Sequence, residues 1–207
     1  MSGITKKVSE LSDMMGNRHI FVFEGIDKVG KSTILERVKK ELQMKLYTCS
    51  TFHFPGKDLN CLGGDVYSIH HKTTYDRTPN PAAIQLMHIA AHIDMWTNYI
   101  ISEAENGKLI LLDRFWWSTY SYGKANGVDE NILSKMIEIE KMFFCDEWIK
   151  KVFLIKKLHF GDIKLNDNYD SLAHQNQQNT LILYNDGSID EISLKIVDYI
   201  EECVKNE

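Results

Sequence analysis

Three prolines, four cysteines and four arginines in 207 residues mark what this chain has little of. So few prolines, with twelve glycines and no polar low-complexity tract, exclude a disordered or collagen-like chain. The cysteines, Cys49, Cys61, Cys145 and Cys203, have no CxxC spacing, and each lies in or beside an apolar stretch. They read as small buried hydrophobes in a reducing compartment, not as a disulfide or zinc framework. No run approaches about 18 apolar residues, and the first 17 residues contain no apolar signal core, which predicts a cytoplasmic chain with no membrane partner. Lys plus Arg number 24 against 29 Asp plus Glu, a net charge of −5. That balance speaks against a nucleic-acid partner, whose binder would show a basic face. The apolar share, 43%, suffices for a core. At roughly 150 residues per domain the length predicts one generous domain.

Residues 1–17 are polar and read as an N-terminal extension to a single domain spanning 18–207. Apolar runs then alternate with helical patterns. Residues 19–24 (HIFVFE), 46–54, 108–113 (KLILLD), 151–155 (KVFLI) and 180–184 (TLILY) are strand-like. Residues 31–44 place Ile34, Leu35, Val38 and Leu42 at helical spacing, and 81–106 do the same with Ile84, Met87, Ala91 and Met95. Two further helices are expected over 131–143 and 189–204. Strands alternating with helices predict an α/β fold, a parallel five-stranded sheet covered by helices on both faces.

Between the first strand and the first helix stands Gly25-Ile26-Asp27-Lys28-Val29-Gly30-Lys31-Ser32-Thr33, a GxxxxGK[ST] phosphate loop. Its glycines let successive N–H groups converge on one centre, and the helix start adds unpaired donors and a positive dipole end. Lys31 is placed to reach the β- and γ-phosphates of ATP, and Ser32 to ligate Mg²⁺. The pattern defines a P-loop NTPase three-layer sandwich. The absence of an NKxD-type guanine motif, with the loop at the first strand of a chain this short, points to a small-molecule kinase.

The stretch from Phe23 to Thr33 resembles the phosphate loop of thymidylate kinases, with their FEGxDxxGK[ST]T pattern. Phe54-Pro55 at the end of the second strand, Asp113-Arg114-Phe115 at the end of a buried strand, and 118–127 (STYSYGKANG) follow in that family's order. The resemblance covers about residues 18–127. It implies transfer of the ATP γ-phosphoryl group to a deoxynucleoside monophosphate, dTMP giving dTDP, with Mg²⁺ as cofactor and a homodimer as the working unit. It also implies roles for particular residues. Lys28 stands where one branch of the family carries a catalytic arginine. Asp113 would hold Mg²⁺ through water or orient the acceptor, and Arg114 would clamp the acceptor phosphate. Asp27 would contact the sugar 3′-hydroxyl, Tyr122 would crowd out a ribose 2′-hydroxyl, and Asn185 would lie in the adenine-contacting loop. Phe54 and Lys57 would line the acceptor pocket.

Two departures accompany the resemblance. Where the family carries a base-stacking Phe and, four residues on, a phosphate-binding Arg, this chain has His88 and His92. At i, i+4 they share a helix face and are readable as acceptor-site residues, as structural histidines, or as a metal pair, the last disfavoured because Ile89 stands where a metalloprotease motif needs Glu. The lid-like loop at about 156–178 holds Lys156, Lys157 and Lys164 but no arginine. Two alternatives remain open: a kinase for a nucleoside or another nucleoside monophosphate, and a catalytically weak ATP-binding module. Met95 and Trp96 are readable either as a dimer face or as core.

Overall fold

The run Ile20–Glu24 forms β1, the central strand, and every one of its residues is buried. The computed structural model describes residues 18–56, 61–70 and 79–206. The extension 1–17 and Lys57 lie outside them. After β1 come α1 (Lys31–Met44), β2 (Cys49–His53), α2 (Leu62–His70) and α3 (Pro81–Met95). A π turn (Trp96–Ile100) links α3 to α4 (Ile101–Glu105), followed by β3 (Leu109–Asp113), α5 (Trp116–Ala125) and α6 (Glu130–Lys141). The chain ends with β4 (Ile149–Lys156), α7 (Ile163–Gln175), β5 (Thr180–Tyr184) and α8 (Ile189–Lys205).

The strands make one parallel sheet in the order β2-β3-β1-β4-β5. Burial follows that order. The interior strands β1 and β3 are buried at every residue, as continuous apolar runs require, whereas the edge strand β2 is only half-buried throughout. The α1 residues Ile34, Leu35, Val38 and Leu42 are all buried, as their spacing predicts. Their helix packs on one side of the sheet against α8.

The expected long helix over 81–106 is real but interrupted. Asn80 caps it by accepting from the Ala82 N–H at 2.8 Å, and Pro81 occupies the first turn, where its missing N–H is harmless. The π turn then brings Trp96 and Ile100 into the core. Trp96 is fully buried against Phe144 (4.8 Å between ring centroids), Trp148 (6.1 Å) and Phe115 (6.3 Å). Met95 is equally buried. Neither residue can form a dimer face; both are interior.

The segment 156–178 corrects the expectation of a loop. It contains the end of β4, a short turn and α7. Asp162 caps α7 by accepting from the Leu165 N–H, and Asn168, Tyr169, Leu172 and Ala173 form its buried face. That stripe is hard to see among Asn and Asp residues, which ordinarily favour turns. The helices α2 and α5 lie outside the helical stretches expected from the sequence; α5 (WWSTYSYGKA) is weak in helix propensity and lacks an apolar period. Among the described residues the four cysteines are free, and no helix is long and apolar enough to cross a membrane.

Candidate active site

The turn from β1 into α1 is shaped by two glycines that admit no substitute. Gly25 (φ 136°) would press a Cβ onto the Ile155 carbonyl, and Gly30 (φ 95°) would press one onto the Asn185 amide. Asn185 therefore lies behind the phosphate loop, where its Nδ2 donates to the Val29 carbonyl at 2.8 Å. Val29 is buried and supports the loop from beneath. Asp27, Lys28, Gly30, Lys31, Ser32 and Thr33 face a cleft of about 1010 Å³. Its other walls include Phe54, His88, His92, Asp113, Arg114 and Tyr122, so the cleft gathers most of the residues expected from the sequence.

Lys31 is buried, with its Nζ donating to the Ile26 carbonyl at 2.7 Å. Burial, reinforced by the nearby Arg114 charge, pulls its amine down to about 8. Ser32 Oγ donates to Asp113 Oδ2 at 3.0 Å, and His53 Nδ1 approaches the same oxygen at 3.1 Å. Burial alone would push the Asp113 carboxyl up, but the His53 hydrogen bond and the charges of Lys31 and Arg114 outweigh it and hold the group below its usual range. Its second oxygen, Oδ1, is buried without a hydrogen-bond partner among the described residues. An ionised carboxylate with one vacant oxygen beside a serine hydroxyl is a donor set of hard oxygens, which fits Mg²⁺.

Arg114 adopts φ 74° immediately after β3, with its N–H donating to the Phe23 carbonyl at 2.9 Å. This geometry turns its guanidinium back across the loop. Nη1 donates to Ser118 Oγ at 3.0 Å, Nη2 pairs with the Asp27 carboxylate, and the Tyr122 ring lies 5.2 Å away. The Tyr122 hydroxyl donates to Asp27 Oδ2 at 2.9 Å; burial pushes it up to about 12, so it remains a donor. Opposite stands His92, its ring stacked on Phe54 (4.2 Å, 13° between planes) and its Nδ1 2.7 Å from Glu140 Oε1. His88 is one turn away, 6.3 Å between ring centroids. Among the described residues no group of three or more His, Cys, Asp or Glu side chains could hold a metal ion.

Sequence reasoning missed His53, which directly precedes the Phe54-Pro55 pair, and Glu24. The latter was signalled by a lone carboxylate in an otherwise apolar strand. Glu24 Oε1 accepts from the N–H groups of Phe115 (2.7 Å) and Ser118 (3.1 Å), capping α5 and compensating its poor propensity. Glu24 Oε2 accepts from Ser118 Oγ (2.7 Å) and from the Tyr169 hydroxyl of α7 (3.2 Å). Complete burial raises Glu24 from 4.5 to about 7 despite these bonds. A carboxyl raised on folding contributes stability that is fully present below its unfolded value near 4.5 and lost as pH rises through 7. The shift corresponds to about 3 kcal/mol. Glu24→Gln should therefore gain stability relative to wild type as pH increases from 4.5 to 7, read from urea melts at several pH values. A constant difference would refute the assignment.

A P-loop strand-turn-helix at the carboxyl edge of a parallel sheet, facing a cleft with a strand-end Asp–Arg pair, defines a P-loop nucleotide-binding protein. Residues 23–144 match the family model described as Thymidylate kinase, and the chain belongs to that family. It is 32% identical over 118 residues to a thymidylate kinase of Francisella philomiragia, a match covering 55% of this chain and 57% of that protein. To a thymidylate kinase of Neorickettsia sennetsu it is 26% identical over 166 residues, covering 79% and 77%. The crystal structure of thymidylate kinase from Ehrlichia chaffeensis shares the fold at a TM-score of 0.73 and 18% identity, over 89% of this chain and 99% of that one.

Proposed function

We propose that this chain transfers the γ-phosphoryl group of ATP to a deoxynucleoside monophosphate, with dTMP as acceptor and dTDP and ADP as products. The observation that carries the reading is the Asp113–Arg114 pair. One side chain is bonded to the phosphate-loop serine and the next extends its guanidinium into the same cleft. An acceptor phosphate oxygen is already anionic, so no base is needed. It attacks the γ-phosphorus as the bond to the β–γ bridging oxygen breaks, and catalysis consists of alignment and charge neutralisation. Lys31 and the loop N–H groups hold the donor phosphates, Lys28 adds a point charge, and Arg114 exchanges Asp27 for the acceptor phosphate. Asp27, released from Arg114, meets the sugar hydroxyl, while Tyr122 closes the space a 2′-hydroxyl would need. Mg²⁺, held by Ser32 Oγ and Asp113, would neutralise charge on the β- and γ-phosphate oxygens.

We further propose residues 18–207 as the kinase domain, residues 156–178 as its lid, the cytoplasm as its location and a homodimer as its working form, built on a face other than Met95 and Trp96. The test is ADP release from MgATP with dTMP, other deoxynucleoside and ribonucleoside monophosphates, and thymidine. Acceleration by dTMP above its ribose counterpart is expected. Turnover with thymidine alone would replace this reading by a nucleoside kinase, and no acceleration by any acceptor would leave an ATP-binding module.

A further inference from the structure

Glu140 lies on α6, away from the phosphate loop and the Asp113–Arg114 pair, yet its side chain is completely buried. Among the described residues its close partner is His92, whose Nδ1 is 2.7 Å from Oε1; Thr119 Oγ1 makes a long approach to the same oxygen at 3.5 Å. Oε2 is buried with no partner among the described residues. A well-packed apolar pair would fill this space more favourably than a carboxylate removed from water, so packing alone gives no reason for the arrangement.

His92 is constrained twice. Its ring face rests on Phe54, and its Nδ1 is held by Glu140. The imidazole can therefore neither turn nor flip without losing one of these contacts. A carboxylate only accepts hydrogen bonds, so a ring proton sits on Nδ1, and Nε2 is the ring nitrogen not engaged by Glu140. Because His92 lines the cleft, Nε2 is the polar atom it has left to offer a ligand.

We propose that Glu140 is a positioning residue for the acceptor nucleotide. It locks His92 in the Nδ1–H tautomer, so that Nε2 accepts a hydrogen bond from an N–H on the acceptor's base. This rests on the monophosphate-kinase reading and deepens it, because recognition then depends on a base edge at a position where the resemblance led one to expect a cation.

The experiment compares wild type, Glu140→Gln, His92→Gln and the double variant. A glutamine of nearly the same shape can donate to Nδ1, which moves the ring proton to Nε2 and turns the cleft-facing acceptor into a donor. Imidazole ¹⁵N NMR, with His92 assigned by its loss in His92→Gln, should show Nδ1–H in wild type and a change of tautomer in Glu140→Gln. Kinetically, Glu140→Gln should raise KM for dTMP about ten-fold while kcat and KM for ATP stay within about two-fold. In the His92→Gln background the same substitution should add nothing, since it acts through that ring. If Glu140→Gln does not fold, Glu140→Asp, which shortens the reach and keeps an accepting carboxylate, should preserve the tautomer and give a smaller rise in KM. An Nε2–H signal in wild type, an unchanged KM for dTMP, or an undiminished effect without His92 would overturn the inference and leave the kinase reading intact. Wild-type protein inactive on every monophosphate would remove that reading and this inference with it.

Discussion

Lys31→Ala is expected to lower kcat with MgATP and dTMP by about 10²–10³-fold, the scale on which one preorganised charge acts on a developing oxyanion. The argument rests on where the amine sits before nucleotide arrives. It is buried, tied to the Ile26 carbonyl, and pulled down to about 8 by that burial and by Arg114. A cation held there is poorly solvated, so phosphate oxygens replace an unfavourable environment with a complementary one. In the nucleotide-free protein the same burial opposes folding. An amine lowered from 10.5 to about 8 leaves the unfolded chain binding more protons between those values, so wild-type stability rises across that window. Lys31→Ala should lose both the catalysis and this pH-dependent gain while keeping its fold. Stopped-assay ADP release and melts at pH 8 and 10 measure the two effects. Retention of more than a tenth of wild-type kcat would show that another cation serves the donor phosphates.

The second large effect is on stability. Trp96→Ala should destabilise the protein by about 3–5 kcal/mol, against a total of roughly 5–15 kcal/mol for a domain. The indole is fully buried among Phe115, Phe144 and Trp148, and removing it opens a cavity that rigid aromatic neighbours cannot close. Its Nε1 has no hydrogen-bond partner among the described residues, so the loss is one of packing. Urea melts with an unchanged slope and a strongly lowered midpoint are expected. A change in oligomeric state with little loss of stability would instead return Trp96 to an interface.

Much of this was legible in the chain. The alternation of IFVFE, KLILLD, KVFLI and TLILY with helical periods specified a parallel sheet, since interior strands such as IFVFE and LILLD, buried at every residue, have no polar side to show, while TLILY lies half-exposed at the sheet edge. The loop from Gly25 to Thr33 announced itself because phosphate binding constrains backbone and side chains at fixed spacing. What stayed hidden depends on partners distant in sequence. The α5 helix is capped by Glu24, 91 and 94 residues before the N–H groups it satisfies. The α7 helix is anchored by Tyr169 and by Asn168, which donates to the Ser121 carbonyl. Local propensity carries no record of either. His88 and His92 could be placed on one helix face, but nothing near them in sequence revealed that Glu140 would pair with His92 across 48 positions.

The bond from Asn185 to the Val29 carbonyl spans 156 positions of the chain. The phosphate loop is encoded immediately after the first strand, yet it is braced by a residue just past the last one. A ribosome must thus add 156 further residues after Val29 before the loop acquires this support. Chains broken off before β5 would carry the complete phosphate-loop motif without this brace. ATP, by favouring molecules in which β5 has docked, would distinguish chains that carry the brace from chains that lack it.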